Sequence, residues 1–145
     1  MIVTGPRVVE WVAKKTNEFG NFGASVGLGL EKNGVLVAGV VYSDYNGVNM
    51  IAHIASDGSK RWMTKDYLRA IFYYPFRRAN VNRITCLIGE SNKESIKLCE
   101  HFGFEREASL KGAHPSGNLL IYVLWKKDCR WLDENLYEMR SHLAA

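Results

Sequence analysis

Apolar residues set the reading of this chain before any composition does. Pro6 stands where a first helical turn tolerates it, and Val8, Val9, Trp11 and Val12 give a short apolar face, which predicts a helix over 6–18. Gly20, Gly23, Gly27 and Gly29 then break helical character. In "SVGLGLEKNGVLVAGVVYSDY" two apolar-rich runs flank Asn33-Gly34, the pair preferred in a two-residue hairpin turn. Residues 24–31 and 35–43 therefore read as antiparallel strands. A second turn at Asn46-Gly47 leads into a third strand, "VNMIAHIA", and this meander runs out at Ser56.

The period then changes. From Thr64 to about Ala79 the apolar positions Tyr67, Leu68, Ile71, Phe72 and Phe76 come close to helical spacing. Pro75 removes a backbone donor late in that helix and must kink or end it. "RITCLIG" at 83–89 reads as a buried strand. "NKESIKLCEHFGF" reads as a helix with Asn92 near its start and Gly103 as a left-handed stop. "FEREASL" and "NLLIYVLWKK" make two closing strands joined through "KGAHPSG". "DCRWLDENLYEMRSHL" is helical in pattern, though not a clean heptad, so 130–145 reads as a helical extension and not as a coiled coil. The order is helix, three-strand meander, helix, strand, helix, two strands, helix. It implies a mixed α/β sheet with a strand-helix-strand crossover in its middle.

Composition narrows the function classes. At 145 residues and 47% hydrophobic content, the chain fits a single domain, 1–145, with a real core. No apolar run reaches 18 residues, so no membrane helix is expected, and the N-terminus does not read as a secretory signal. Three widely spaced cysteines, Cys86, Cys99 and Cys129, suggest reduced thiols in a cytoplasmic protein and no metal site. The net charge of +4 is mild and its basic residues are scattered, which suits a solvated surface or an anionic ligand better than nucleic acid.

Two segments together resemble the GNAT superfamily of acetyl-CoA-dependent N-acetyltransferases. One is "HIASDGSKRWMTKDYLRAIFYYPF" followed by the strand 83–89. The other is "NKESIKLCEHFGFEREASLKGAHPSGNLLIYVL", where Asn92, Ser95, Leu98, Gly103 and Phe104 fall on the family's pattern. With the order of elements, the resemblance covers 24–127. It is closest to small GNAT-like proteins of tailed-phage genomes, an impression to which "YPF" adds. The resemblance implies an α/β (α+β) fold with a mostly antiparallel sheet and helices on both faces. It also implies acetyl-CoA, an amine acceptor, and a gap between the strand before the loop and the strand after the helix, where the pantetheine arm lies.

The family seats the coenzyme's pyrophosphate on a glycine-bearing loop at a helix N-terminus, where amides and dipole favour an anion. Cofactor contacts would then fall on Ile54, Ala55, Ser59, Lys60, Arg61, Trp62, Met63 and Thr64, with Asn92 and Ser95 on the next helix. The loop departs from the pattern: Gly58 is its only glycine, and Trp62 stands where a small residue is normal. A side chain that large can block a phosphate seat, whereas Lys60 and Arg61 could supply charge-assisted contacts instead. A plain solvated cationic turn is the other reading.

Acetylating an amine needs a base, and an acid near the departing thiolate helps. His53 is the only ionisable side chain in the strand preceding the loop, and Glu90, just past the next strand, is a second candidate base. Cys99 stands where many family members place a tyrosine acid, although a buried small hydrophobe is its ordinary reading. Tyr122 and the "IFYYPF" run read as core, and His114 as surface. The rival to an enzyme is a GNAT-fold structural or interaction protein, phage-encoded, that has lost catalysis. With only 1–23 ahead of the meander, the acceptor site is either open or completed by a second subunit in a homodimer.

Overall fold

The computed structural model describes residues 1–16 and 22–132. Seven strands form one sheet: β1 (Ile2–Thr4), β2 (Ser25–Lys32), β3 (Val35–Ser43), β4 (Asn49–Ser56), β5 (Arg83–Gly89), β6 (Glu105–His114) and β7 (Gly117–Trp125). Their spatial order is β1-β2-β3-β4-β5-β7-β6, and every neighbouring pair is antiparallel except β4 with β5. Three α-helices, α1 (Pro6–Lys15), α2 (Lys65–Tyr73) and α3 (Lys93–Phe102), complete a mixed α/β fold. The meander, the central crossover and the closing hairpin are those expected from the sequence. Among the described residues no helix is long and apolar enough to cross a membrane.

The sheet buries both faces. On one side α1 places Val8 and Val12, fully buried, against Val41 and Ala55. It sits this close because Gly29 and Gly39 are register partners beneath it; a Cβ on Gly39 would come within 2.7 Å of Val12 Cγ2. On the other side α2 and α3 contribute Tyr67, Leu68, Ile71, Phe72, Cys99 and Phe102 to the main core, with Tyr42, Met50, Ala52, Ile84, Cys86, Ile88 and Tyr122 from the strands. Two tyrosine hydroxyls tie α2 to this layer: Tyr67 Oη donates to the Leu28 carbonyl at 2.7 Å, and Tyr42 Oη donates to the Ile71 carbonyl.

That second bond answers the proline. In a continuous α-helix the residue at position 75 would donate its amide to Ile71, and Pro75 has none to give. The helix does not stop there; it widens into one π-helical turn, Tyr74–Arg78, closed by Ala79 N–H on the Tyr74 carbonyl at 2.9 Å. Tyr42 supplies the donor that Pro75 lacks. Burial holds the Tyr42 phenol well above its usual pKa, so it remains a donor.

Several boundaries move from those expected. β1 has no counterpart in the sequence reading, because three residues carry too little periodicity to register. The first helix is described to Lys15 rather than 18. The helix expected over 64–79 divides into α2 and the π turn. The expected seven-residue connection 111–117 is mostly strand, since β6 continues to His114 and leaves only Pro115 and Ser116 between the strands. Lys126 and Lys127, expected at the end of the closing strand, form a 3₁₀ turn with Asp128; of the expected C-terminal helix, 130–132 is a simple turn and 133–145 lies outside the described residues.

Candidate functional site

β4 and β5 are the one parallel pair, and their ladder spans only three register partners: Asn49 with Arg83, Met50 with Ile84, and Ile51 with Thr85. At its base Thr85 Oγ1 donates to Asn49 Oδ1 at 2.6 Å. Beyond that point the strands no longer pair with each other. A cavity of about 450 Å³ lies between Ala52–Ser56 of β4 and Cys86–Gly89 of β5. Cleft-edge backbone groups that are unpaired across the sheet can bond an extended amide-bearing ligand as a further strand would.

Because side chains alternate along a strand, the cleft opens on both faces. On the α2 and α3 side its wall is Ala52, Ile54, Trp62, Cys86, Ile88 and the first turns of α3. On the α1 side it is Lys15, Thr16, His53, Ala55, Leu87 and Gly89, with His114. Asn92 caps α3 by accepting from Ser95 N–H at 3.2 Å. Seven of the sequence candidates thus meet in one place: His53, Ile54, Ala55, Trp62, Asn92, Ser95 and Cys99.

His53 is held by a short relay. Ser43 Oγ lies 2.9 Å from His53 Nε2 and donates its proton to Asp44 Oδ2 at 2.8 Å. A hydroxyl has one proton, so with Ser43 donating to Asp44 the imidazole donates to Ser43 through Nε2–H. Asp44 sits at φ 55°, a left-handed conformation that Asp tolerates better than most residues, directly after β3 ends. The Phe22 ring packs on the imidazole with 4.2 Å between centroids.

The loop between β4 and α2 is governed by Asp57. Its Oδ1 accepts Ser59 N–H at 3.0 Å and Ser59 Oγ–H at 2.7 Å, and its Oδ2 accepts Arg61 Nη2 at 2.9 Å. The Ser59 donors, and then Arg61, hold the Asp57 carboxyl at a pKa of about 2. A carboxylate of the protein itself therefore occupies the Ser59 and Arg61 donors of this loop. Arg61 also has its carbonyl bonded to Lys32 Nζ at 3.0 Å, while Lys60 is exposed.

Trp62 does not occupy the loop's anion seat. It is 3% exposed and inserts between the helices, edge-on to Tyr67 and Phe102 with 6.2 Å between centroids in each pair. The indole is large enough to serve as core, and this position turns it inward because α2 and α3 leave an aromatic gap there. Met63 packs partly buried on the same core, and Thr64 caps α2 by accepting from Tyr67 N–H at 3.3 Å. Ser59, Lys60, Arg61, Met63 and Thr64 lie outside the cavity wall.

Glu90 is also outside that wall. Its carboxylate lies against Gly117, where a Cβ would come within 2.1 Å of Oε1. Cys99 is in the wall, but its thiol is hydrogen-bonded with Cys86; that bond and burial push the Cys86 thiol up. The sequence reading missed Ser43 and Asp44 behind His53, and missed His114. The last would have been found only by carrying the closing hairpin through to a Pro115-Ser116 turn.

No protein-family model matches the chain, and no curated protein matches it by sequence. Solved structures do match in shape. A crystal structure of the spermidine/spermine N-acetyltransferase SpeG from Vibrio cholerae superposes with a TM-score of 0.73 at 13% identity, over 92% of this chain and 98% of that one. The N-acetyltransferase PseH from Campylobacter jejuni, in complex with acetyl coenzyme A, superposes with a TM-score of 0.58 at 12% identity, over 78% of this chain and 74% of that one. The likeness is one of fold: the chain has the GNAT fold.

Proposed function

We propose that this protein is an N-acetyltransferase that uses acetyl-CoA to acetylate an amine by direct attack. One observation carries the reading: the sheet is split between β4 and β5, and the split is lined on one face by a histidine backed by Ser43 and Asp44. The neutral wall of Ala52, Ile54, Ala55 and Ile88 with its cleft-edge amides fits an acyl-pantetheine arm. At the far end Asp57 excludes a phosphate from Ser59, so Lys60 and Lys65 are left to meet the coenzyme's phosphates from the side. Acetyl-CoA supplies an activated thioester carbonyl.

The chain's own residues supply the rest. His53 takes a proton from the acceptor nitrogen as its lone pair forms the C–N bond, the thioester C–S bond breaks and coenzyme A leaves as the thiol, and the imidazolium is stabilised through Nε2–H to Ser43 and onward to Asp44. Asn92 and Ser95 position the arm from the α3 side. Trp62 and Phe102 close the floor and keep water from that end.

The test is a thiol-release assay with acetyl-CoA over a panel of amines: polyamines, amino acids, amino sugars, peptide N-termini and lysine peptides. One amine class should turn over in the wild type and fail with His53→Ala. Turnover unaffected by His53→Ala would remove the proton-transfer role. A second reading, a GNAT-shaped interaction protein, is favoured by Asp57 in the loop and by Cys99 where an acid would stand. It predicts no thiol release with any amine, and a stable self-association or partner complex.

A further inference from the structure

The geometry points to His114 as a hydrogen-bond donor, through Nε2–H, to the thioester carbonyl oxygen. This rests on the acyl-transfer reading above and adds a group to it.

Three observations converge on the ring. First, His114 belongs to the cavity wall although it comes from the β6–β7 hairpin, on the far side of β5 from His53. Second, it is seated by the absence of a side chain. A Cβ on Gly89 would lie 2.6 Å from its Cε1, 2.7 Å from its Nε2 and 2.8 Å from its Nδ1, so the face of the imidazole occupies that space over the β5 backbone. Gly89 stands four residues past the last β4–β5 register pair, level with Ala55 on β4, where the cleft is open.

Third, the tautomer is set. Ser116 N–H donates to His114 Nδ1 at 3.1 Å, and Ser116 Oγ lies 2.8 Å from the same nitrogen. Ser91 Oγ donates to Ser116 Oγ at 2.9 Å, which directs the Ser116 hydroxyl proton onto Nδ1. A nitrogen that accepts an N–H carries no proton of its own, so the ring's proton is on Nε2, in a ring that lines the cavity. Protonating Nδ1 would cost the Ser116 N–H its acceptor. The hairpin therefore holds the imidazole with its proton on Nε2 at the cleft.

The two histidines are complementary. On the same face of the sheet, His53 offers a basic nitrogen for an amine proton and His114 offers an N–H for an oxygen gaining negative charge. A donor preorganised at that oxygen is worth most in a site with little water. Cys99, bonded to Cys86, does not compete for the role.

The test uses acetyl-CoA labelled with ¹³C at the thioester carbonyl and reads its infrared stretch on the protein, with binding checked by calorimetry. The wild type should lower the carbonyl frequency relative to His114→Ala. His114→Gln, whose side-chain amide can also donate, should keep part of the shift. Gly89→Ala, which retains the imidazole but pushes it from its seat, should lose it. Imidazole ¹⁵N shifts of the free protein should show protonated Nε2. If an acceptor is in hand, His114→Ala should lower kcat by about 10²- to 10³-fold, as for other single donors of this type. An identical carbonyl frequency in wild type and His114→Ala, with acetyl-CoA bound to both, overturns the inference and leaves the acyl-transfer reading standing; so does an Nδ1-protonated ring. Absence of acetyl-CoA binding to any form overturns both.

Discussion

Replacing Tyr42 by Phe tests how α2, and with it the loop at the cleft, is held to the sheet. The ring is 1% exposed and packs on Tyr74 with 5.1 Å between centroids, so the substitution removes the hydroxyl and little else. Its cost is set by the Ile71 carbonyl, which Pro75 cannot serve and which has Tyr42 Oη as its donor. A buried acceptor left without a partner costs about 1–3 kcal/mol. Pro75→Ala returns an N–H four residues on, so the same Tyr42→Phe change should cost about 0.5 kcal/mol or less in that background, the remainder being a small void. The coupling between the two sites should then be about 1–2 kcal/mol, well beyond the additivity of independent sites. Urea unfolding of the four proteins in the cycle reads it directly, with an unchanged denaturant slope confirming that only stability moved. If Tyr42→Phe costs the same in both backgrounds, the hydroxyl does not replace the proline's missing donor.

Four further outcomes extend this to the loop and the cleft. Trp62→Ala, despite restoring a small residue where the family places one, should destabilise by about 3–5 kcal/mol and should not tighten coenzyme binding, because the indole is core between α2 and α3; urea unfolding and calorimetry check the two halves. Asp57→Ala frees the Ser59 and Arg61 donors and should lower the Kd for coenzyme A; a weaker Kd would show that the carboxylate shapes the seat rather than filling it. In the intact protein the Asp57 carboxyl should titrate by NMR at about 2; being depressed, its stabilising effect is present above the unfolded carboxylate range and is lost as pH falls through about 2, and Arg61→Ala should raise the midpoint. With an acceptor in hand, His53→Ala should lower kcat by about 10²- to 10⁴-fold and remove the acidic limb of the pH–rate profile, with Ser43→Ala giving a smaller loss.

Much of the fold was legible because its turns carry strong local chemistry. Asn33-Gly34 adopts positive φ at both residues, as the hairpin reading requires, and Gly103 ends α3 in the left-handed region. The second turn was harder. Asn46 accepts the N–H groups of Val48 and Asn49 on its side chain, and this delays β4 by one residue relative to the reading. Pro75 announced a break, but whether a helix stops or widens depends on a donor from β3, thirty-three positions away in sequence.

The site was legible only where it follows strand alternation. His53 could be found because one ionisable residue interrupts an apolar strand. Trp62 could not be placed, since a large aromatic in a polar loop reads equally as a plug or as core, and only the gap between α2 and α3 decides. Asp57 drew no notice beside Lys60 and Arg61, because a carboxylate that folds back on its own loop is invisible without coordinates. His114 depended on the hairpin register through β6, which continues past Gly112 in a way the glycine alone argued against.

The most direct measurement is a calorimetric titration of acetyl-CoA into the wild-type protein, with backbone amide shifts followed by NMR over the same range. The cleft reading predicts micromolar binding, with the largest shifts at Ala52–Ser56 and Cys86–Gly89, the two strand segments that line the cleft. No heat at millimolar ligand, or binding that leaves those amides unmoved, would contradict it.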